Sequence, residues 1–356
     1  MSNSKLVLVT GVTGKQGGAV ARALLEKGHR VRGMTRNVDG AAAQAVAALG
    51  VDLVKGDFGA PDSLSTATTG VDTVFAMSTP FEAGEAAEVA QGKAIVDAAV
   101  AAGVDHFVYT SVASADKSTG IPHFDTKWEV EQYLASTDLD WSVIAPVYFM
   151  ENLFFGQNLD ALQTGSYPLP LPADLSLQQV AVSDIGAFGA LVVDRKDEFV
   201  SRRVEIASDE LTSERTAVVL GQLLDRAVEH YEVPMDQIRA FSEDFALMYE
   251  WFIETGYSVD IEGLRTAYPE VGWCRFADWA ASVVPSALGR GGTLGGRLEL
   301  AGPLKLALPA LGITLTGAGD ALGDAPPGSI CRFRRVNGSE VGVSFRRAQS
   351  CGSRGG

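Results

Sequence analysis

The chain has 356 residues, 46% of them hydrophobic, with 29 Lys/Arg against 44 Asp/Glu for a net charge of −15. That is apolar material for one large domain or two moderate ones, and so acidic a body is repelled by nucleic-acid phosphate and by anionic membrane surfaces. Cys274, Cys331 and Cys351 are late and widely spaced, fitting neither a disulfide framework nor a zinc cluster; with no signal-like N-terminus, this points to a cytoplasmic protein.

Short apolar runs alternate with helical patterns along the first half. KLVLVT (5–10), RVRGMTR (30–36), VDLVKGD (51–57), VDTVFAMS (71–78), DHFVYTS (105–111) and LDWSVIAP (139–146) read as strands. Helical patterns fill 17–28, 39–49, 62–70, 85–103 and 123–136, the fourth closed by a C-terminal glycine. Apolar, β-branched strands alternating with helices predict an α/β fold, a Rossmann-type doubly wound parallel sheet over residues 1–150. After Pro146 the rhythm loosens. Residues 176–194 give another strand and helix, and 212–230 and 243–255 read as helices, so 151–285 are expected to form a smaller α/β C-terminal substrate lobe.

Past Pro285 the charge reverses: residues 286–356 hold nine Lys/Arg, four Asp/Glu and 16 of the 39 glycines. With no sustained period, this segment reads as a poorly ordered basic tail. Its longest apolar stretch, 298–315, is broken by Glu299, Pro303, Lys305 and Pro309, short of the ~18 uninterrupted residues a membrane helix needs. The basic runs CRFRR and SFRR could meet an acidic partner or nucleic acid. A directly DNA-binding regulator would rest on them alone, because the body contains no helix-turn-helix pattern.

The most specific local signal is Gly11, Gly14 and Gly17, a G-x-x-G-x-x-G between the first strand and the first helix. Such a turn needs a residue tolerant of positive φ, lets a pyrophosphate approach the backbone, and aims free N–H groups at it. A P-loop does not fit: Lys15 is followed by Gln16, and position 9 is valine. The context selects a dinucleotide. The second strand ends Thr35-Arg36-Asn37, with no carboxylate for a ribose 2′-hydroxyl; the Arg36 guanidinium suits a 2′-phosphate, and NADP(H) is predicted over NAD(H). Asp57, after the third strand, either accepts from the adenine amine or caps its own turn.

GVTGKQGG, TRN, KGDF, QGKAIVDAAVAAGVDHFVYTSV, HFDTKWEVEQYL and PVYFMENL, in this order, resemble the NmrA-like family, atypical members of the short-chain dehydrogenase/reductase superfamily. The resemblance runs from about residue 5 to about 280 and omits the tail. It implies NADP(H) in a cleft between a Rossmann domain and a small lobe. By position, Gly11, Thr13, Gly14, Lys15, Gln16 and Gly17 would make the phosphate turn; Arg36 would take the 2′-phosphate, and Asp57 and Phe58 the adenine side. Ser78, Thr79, Pro80 and Phe81 would line the cofactor, Lys93 would approach phosphate or ribose, Lys127 would hold the nicotinamide ribose, and Pro146, Tyr148 and Asn152 would border the nicotinamide.

Short-chain dehydrogenases use Tyr-x-x-x-Lys on one helix face, where the ammonium lowers the phenol pKa. Here Lys127 is present, but the tyrosine position is His123; Thr110 and Ser111 end the fifth strand, where the family's catalytic serine or its neighbour lies. Two readings follow. With His123, Lys127 and Ser111 as the catalytic set, the protein is an NADPH-dependent reductase of a small electrophile such as a quinone. Without a proton donor, it is a non-catalytic NADP(H) redox sensor, a transcriptional co-regulator acting through a protein partner. Neither reading needs nucleic acid or membrane for the body. The scattered His29, His106 and His230 argue against a metal, and the sequence is compatible with a homodimer.

Overall fold

The first strand, LVLV, is buried along its whole length, as are the fourth and fifth, which is what a sheet covered on both faces requires. The computed structural model describes residues 4–156 and 158–288, and the backbone of 313–314, 330–335 and 340–344. The chain divides into two units, Met1–Leu294 and Gly295–Gly356.

In the first unit, β1 (Leu6–Val9), α1 (Lys15–Glu26), β2 (Arg30–Thr35), α2 (Ala41–Ala47), β3 (Asp52–Lys55) and α3 (Pro61–Thr68) come first. β4 (Thr73–Ala76), α4 (Glu85–Ala102), β5 (His106–Thr110), α5 (Pro122–Ala135) and β6 (Trp141–Pro146) complete the alternation. Then follow β7 (Tyr148–Phe149), α6 (Asn158–Gln163), β8 (Ser166–Leu169), β9 (Ser176–Val180), α7 (Val182–Asp194), α8 (Lys196–Phe199), β10 (Arg202–Ile206) and β11 (Asp209–Thr212). Last are α9 (Ser213–Leu224), β12 (Glu229–Glu232), α10 (Met235–Phe241), α11 (Glu243–Glu254), α12 (Ile261–Ala267) and α13 (Phe276–Ala287).

Seven strands form one sheet in the order β10-β6-β5-β4-β1-β2-β3, every neighbouring pair parallel. This is the doubly wound Rossmann order with β10 added outside β6, and its strand order reverses between β1 and β4, where such sheets bind ligands. Strand alternation splits the core. Val7 and Val9 face a layer with Leu24, Phe188 and Phe199; Leu6 and Leu8 face one with Leu64, Ile95 and Val130. α4 ends on Gly103 in the left-handed region, as the sequence indicated, and α5 starts at Pro122, one residue before the expected helix.

The Rossmann layer draws on more chain than residues 1–150. β10 extends the main sheet, and α7, expected in the lobe, lies on α1. The reason is steric: a Cβ on Gly186 would sit 2.7 Å from the Ala19 carbonyl, so the glycine admits close backbone contact, and α7 is buried around most of its circumference. The lobe holds the three-stranded sheet β11-β9-β7, the pair β12-β8, and a core around Leu153, Leu220, Phe252, Phe276 and Trp279.

Of the second unit, the described backbone forms an antiparallel sheet of β13 (Ile313–Thr314), β14 (Ile330–Arg335) and β15 (Glu340–Ser344). The expected tail begins inside the last turn of α13, and most of it lies outside the described residues. Among the described residues, no helix is long and apolar enough to cross a membrane.

Candidate functional site

The glycine turn sits at the carboxyl end of β1, beside the switch point. Gly11 adopts φ +60°, and its carbonyl accepts the Gly14 N–H at 2.9 Å. A Cβ on Gly17 would come within van der Waals exclusion of the Gly11 carbonyl oxygen, and one on Gly14 would lie 3.2 Å from it. The turn and helix therefore interlock only with glycine. Gly14 caps α1 without a side-chain hydrogen bond, which leaves first-turn N–H groups for an anion. Backbone shape and donor set both fit a pyrophosphate. Thr13 is exposed at the turn, and Gln16 turns inward to donate to Thr110 Oγ1 at 2.5 Å. Lys15 reaches the lobe, donating to the Glu151 carbonyl at 3.3 Å and lying over the Phe154 ring; burial pushes its pKa down.

On the adenine side, Arg36 is an exposed guanidinium at the end of β2, in a two-point pair with Glu82 from the β4–α4 loop (2.8 and 3.1 Å). Its charge and exposure fit a 2′-phosphate, which would compete with Glu82. Asp57 caps its own turn, accepting the Gly59 N–H at 2.8 Å, while Phe58 packs against the sheet. Lys93 is not brought to the turn. It pairs with Glu129 at 2.6 Å and lies over Tyr133 on the seam between α4 and α5.

The three candidate catalytic side chains are each bound to a different carboxylate. Lys127 Nζ donates to Glu88 Oε1 at 2.8 Å and to the Ser78 carbonyl at 3.1 Å, leaving one of its three N–H donors. Glu88 is fully buried and also accepts from Thr126. Burial lowers the Lys127 pKa, but Tyr109 and Glu88 outweigh it, and the net shift is upward: the group is held as a cation. Ser78 Oγ bonds the buried Tyr109 hydroxyl at 2.9 Å. Ser111 donates instead to buried Glu131, which Arg203 also holds, at 2.9 Å. It thus belongs to a strut between β5, α5 and β10, and is not joined to His123 or Lys127 by hydrogen bonds.

His123 is one helical turn before Lys127. Its Nδ1 lies 2.8 Å from Asp244 Oδ1 and 2.7 Å from Oδ2, and its backbone N–H donates to the same carboxylate at 3.0 Å. Asp244 comes from the first turn of α11, whose N-cap is Ser242. Burial raises the Asp244 pKa, but the His123 hydrogen bonds reverse this and hold it below the usual carboxylate range. Around the imidazole stand Phe81, Phe124 and Phe245, with ring centroids 6.0, 4.8 and 6.5 Å away. Phe81 is 54% exposed, and Phe155, at 47%, continues the aromatic wall through Phe245.

Thr79 Oγ1 accepts the Phe81 N–H across Pro80. Pro146 is buried at the end of β6, and Asn152 follows in a short 3-10 turn. Tyr148 turns into the lobe, its hydroxyl 3.4 Å from that of Tyr249 and its ring against Phe252. Glu88, Glu131, Asp244, Glu82 and Glu151 escaped the sequence reading. Glu131 stands four residues after Lys127 on the same helix, yet its bonds go to Ser111 and Arg203, so that spacing points to a pair the fold does not make.

The profile of the NmrA-like family matches residues 3–287. An NmrA-like family domain-containing oxidoreductase of Penicillium ochrochloron is 33% identical over 183 residues, 48% of this chain and 54% of its own length; this chain thus matches about half of that relative. Two solved structures share the fold. NmrA, a negative transcriptional regulator in complex with NADP, is 20% identical with a TM-score of 0.68, covering 82% of this chain and 98% of its own. Triphenylmethane reductase of Citrobacter sp., complexed with NADP(H), is 23% identical with a TM-score of 0.62, covering 73% and 94%.

Proposed function

The chain belongs to the NmrA-like family of NAD(P)-binding Rossmann proteins, and from that premise we propose that it is an NADPH-dependent reductase of a small conjugated electrophile such as a quinone. The observation that carries this is the pair His123 and Lys127, one turn apart on α5, with Lys127 bonded to the Ser78 carbonyl just past β4 and His123 under a wall of phenylalanines.

Bound NADPH would supply a hydride. The residues divide the remaining work. Gly11, Gly14 and Gly17 with the start of α1 would hold the pyrophosphate, and Arg36 the 2′-phosphate. The remaining Lys127 donor would fix the nicotinamide ribose. Phe81, Phe155 and Phe245 would stack a flat acceptor and exclude water from it. His123 would donate the proton that a reduced oxygen requires. Ser111, committed to Glu131, serves structure in this scheme.

The likeness to a triphenylmethane reductase supports a conjugated acceptor. The test is NADPH oxidation, followed by absorbance, with a naphthoquinone and with a triphenylmethane dye. Acceptor-dependent oxidation that His123→Gln slows about 10-fold or more supports the reading, within the range general acid catalysis contributes. No oxidation with any acceptor refutes it. A second reading, a sensor of cofactor state working through a protein partner, is supported by the likeness to a negative transcriptional regulator. It requires different affinities for NADPH and NADP+, because a ligand pair with equal affinities shifts no equilibrium.

A further inference from the structure

We propose that Asp244 is a positioning residue for this reaction: it fixes the tautomer and orientation of His123 from the lobe, so that the proton donor is complete only when α11 is seated on α5. The inference rests on the reductase reading. Two bonds to one carboxylate carry it. Asp244 accepts the His123 backbone N–H at 3.0 Å and faces ring Nδ1 at 2.7–2.8 Å. A carboxylate accepts only, so Nδ1 must carry the proton, and Nε2 is left as the nitrogen that exchanges protons with a substrate.

The surroundings agree. Ser242 caps α11 and fixes the turn that carries Asp244. Phe124 and Phe245 meet the imidazole edge-on, which restrains its plane. Asp244 from α11 and Asp125 from α5 are carboxylates that interact electrostatically with it, and of the two it is Asp244 that makes the hydrogen bond. Phe81 closes the remaining side from the β4–α4 loop.

The reduced nicotinamide, when bound, would supply the hydride, and a quinone so reduced would hold the electron pair and negative charge on an oxygen. The Nε2–H bond of protonated His123 breaks as the O–H bond of the hydroquinone forms. The neutral ring keeps its Nδ1 proton on Asp244, and solvent returns a proton to Nε2.

Asp244→Asn keeps the shape and can still accept the backbone N–H, but it offers the ring a neutral amide. Long-range 1H–15N spectra of the full chain, without nucleotide, report the tautomer directly, with His123→Gln assigning the signal. We expect a proton fixed on His123 Nδ1 in the wild type and, in Asp244→Asn, a larger share of rings with Nδ1 bare. With NADPH and a naphthoquinone, kcat should fall about 10- to 100-fold, with the Kd for NADPH unchanged within about twofold and part of the rate recovered in Asp244→Glu. An unchanged tautomer, or an unchanged kcat in an active enzyme, overturns the inference. A wild type inactive with every acceptor overturns the reductase reading and with it the catalytic half of the inference; the spectra then decide the orientation on their own. Should Asp244→Asn not fold, Asp244→Glu and the wild-type tautomer supply the same decision.

Discussion

Arg36 faces a choice between an internal and an external anion. Its partner Glu82 is half-exposed, and exposed pairs of this kind contribute about 0–1 kcal/mol. A 2′-phosphate, with more charge and more acceptors, should displace it. Arg36→Ala is therefore expected to weaken NADPH about 10- to 100-fold, the range of a charged hydrogen-bonded contact, with NADH nearly unchanged. Glu82→Gln should tighten NADPH about two- to fivefold, consistent with a surface pair, again sparing NADH. Calorimetric titration of both nucleotides checks each variant; equal effects on NADPH and NADH would rule out the 2′-phosphate contact. At this scale the sequence was half legible. Arg36, His123 and Lys127 stand in local patterns that chemistry can read. Their carboxylate partners do not: Glu88 is 39 residues from Lys127 and Asp244 is 121 from His123, so only the folded chain brings them together. The same holds for Ser111, whose place in the motif said nothing of its bond to Glu131.

Among the elements, alternation of buried strands with helices foretold the central sheet because each run had one period and a clear glycine or proline boundary. It did not foretell where α7 packs. A helix apolar on nearly all sides reads the same whether it covers a lobe or a sheet; the deciding feature is Gly186 against the Ala19 backbone. Gly186→Ala should force α1 and α7 apart and cost about 1–3 kcal/mol in urea unfolding, as overpacking does. No loss would mean the helices are less closely seated than described. Gly17→Ala should be worse for function than for stability alone, because the methyl group would push the helix start away from the turn. It is expected to abolish nucleotide binding in a protein that still unfolds cooperatively.

For the whole molecule, every residue assigned to the site lies in the first unit, within Met1–Leu294. A chain ending at Leu288, just past α13, should keep the NADPH affinity of the full chain within about twofold. A large loss would place part of the site in the following residues. Acid stability should report on the Asp194 cluster, which ties α7 to the loop before β2. Burial raises the Asp194 pKa, but bonds from Lys27 and His29 bring it below the usual value. A carboxylate so depressed contributes stability that is present above about pH 4 and lost as pH falls through its folded value. Asp194→Asn should thus lower Tm at neutral pH, and the gap from wild type should close on acidification; a constant gap would show that the ionised carboxylate is not what stabilises the contact.

The most direct test of the account is calorimetric titration of the full chain with NADPH, NADP+, NADH and NAD+ in one buffer. One nucleotide per chain is expected, with NADPH preferred over NADH by about tenfold or more, the share a charged 2′-phosphate contact provides. Binding of none of the four would contradict the reading of the glycine turn itself, and with it the proposed reductase.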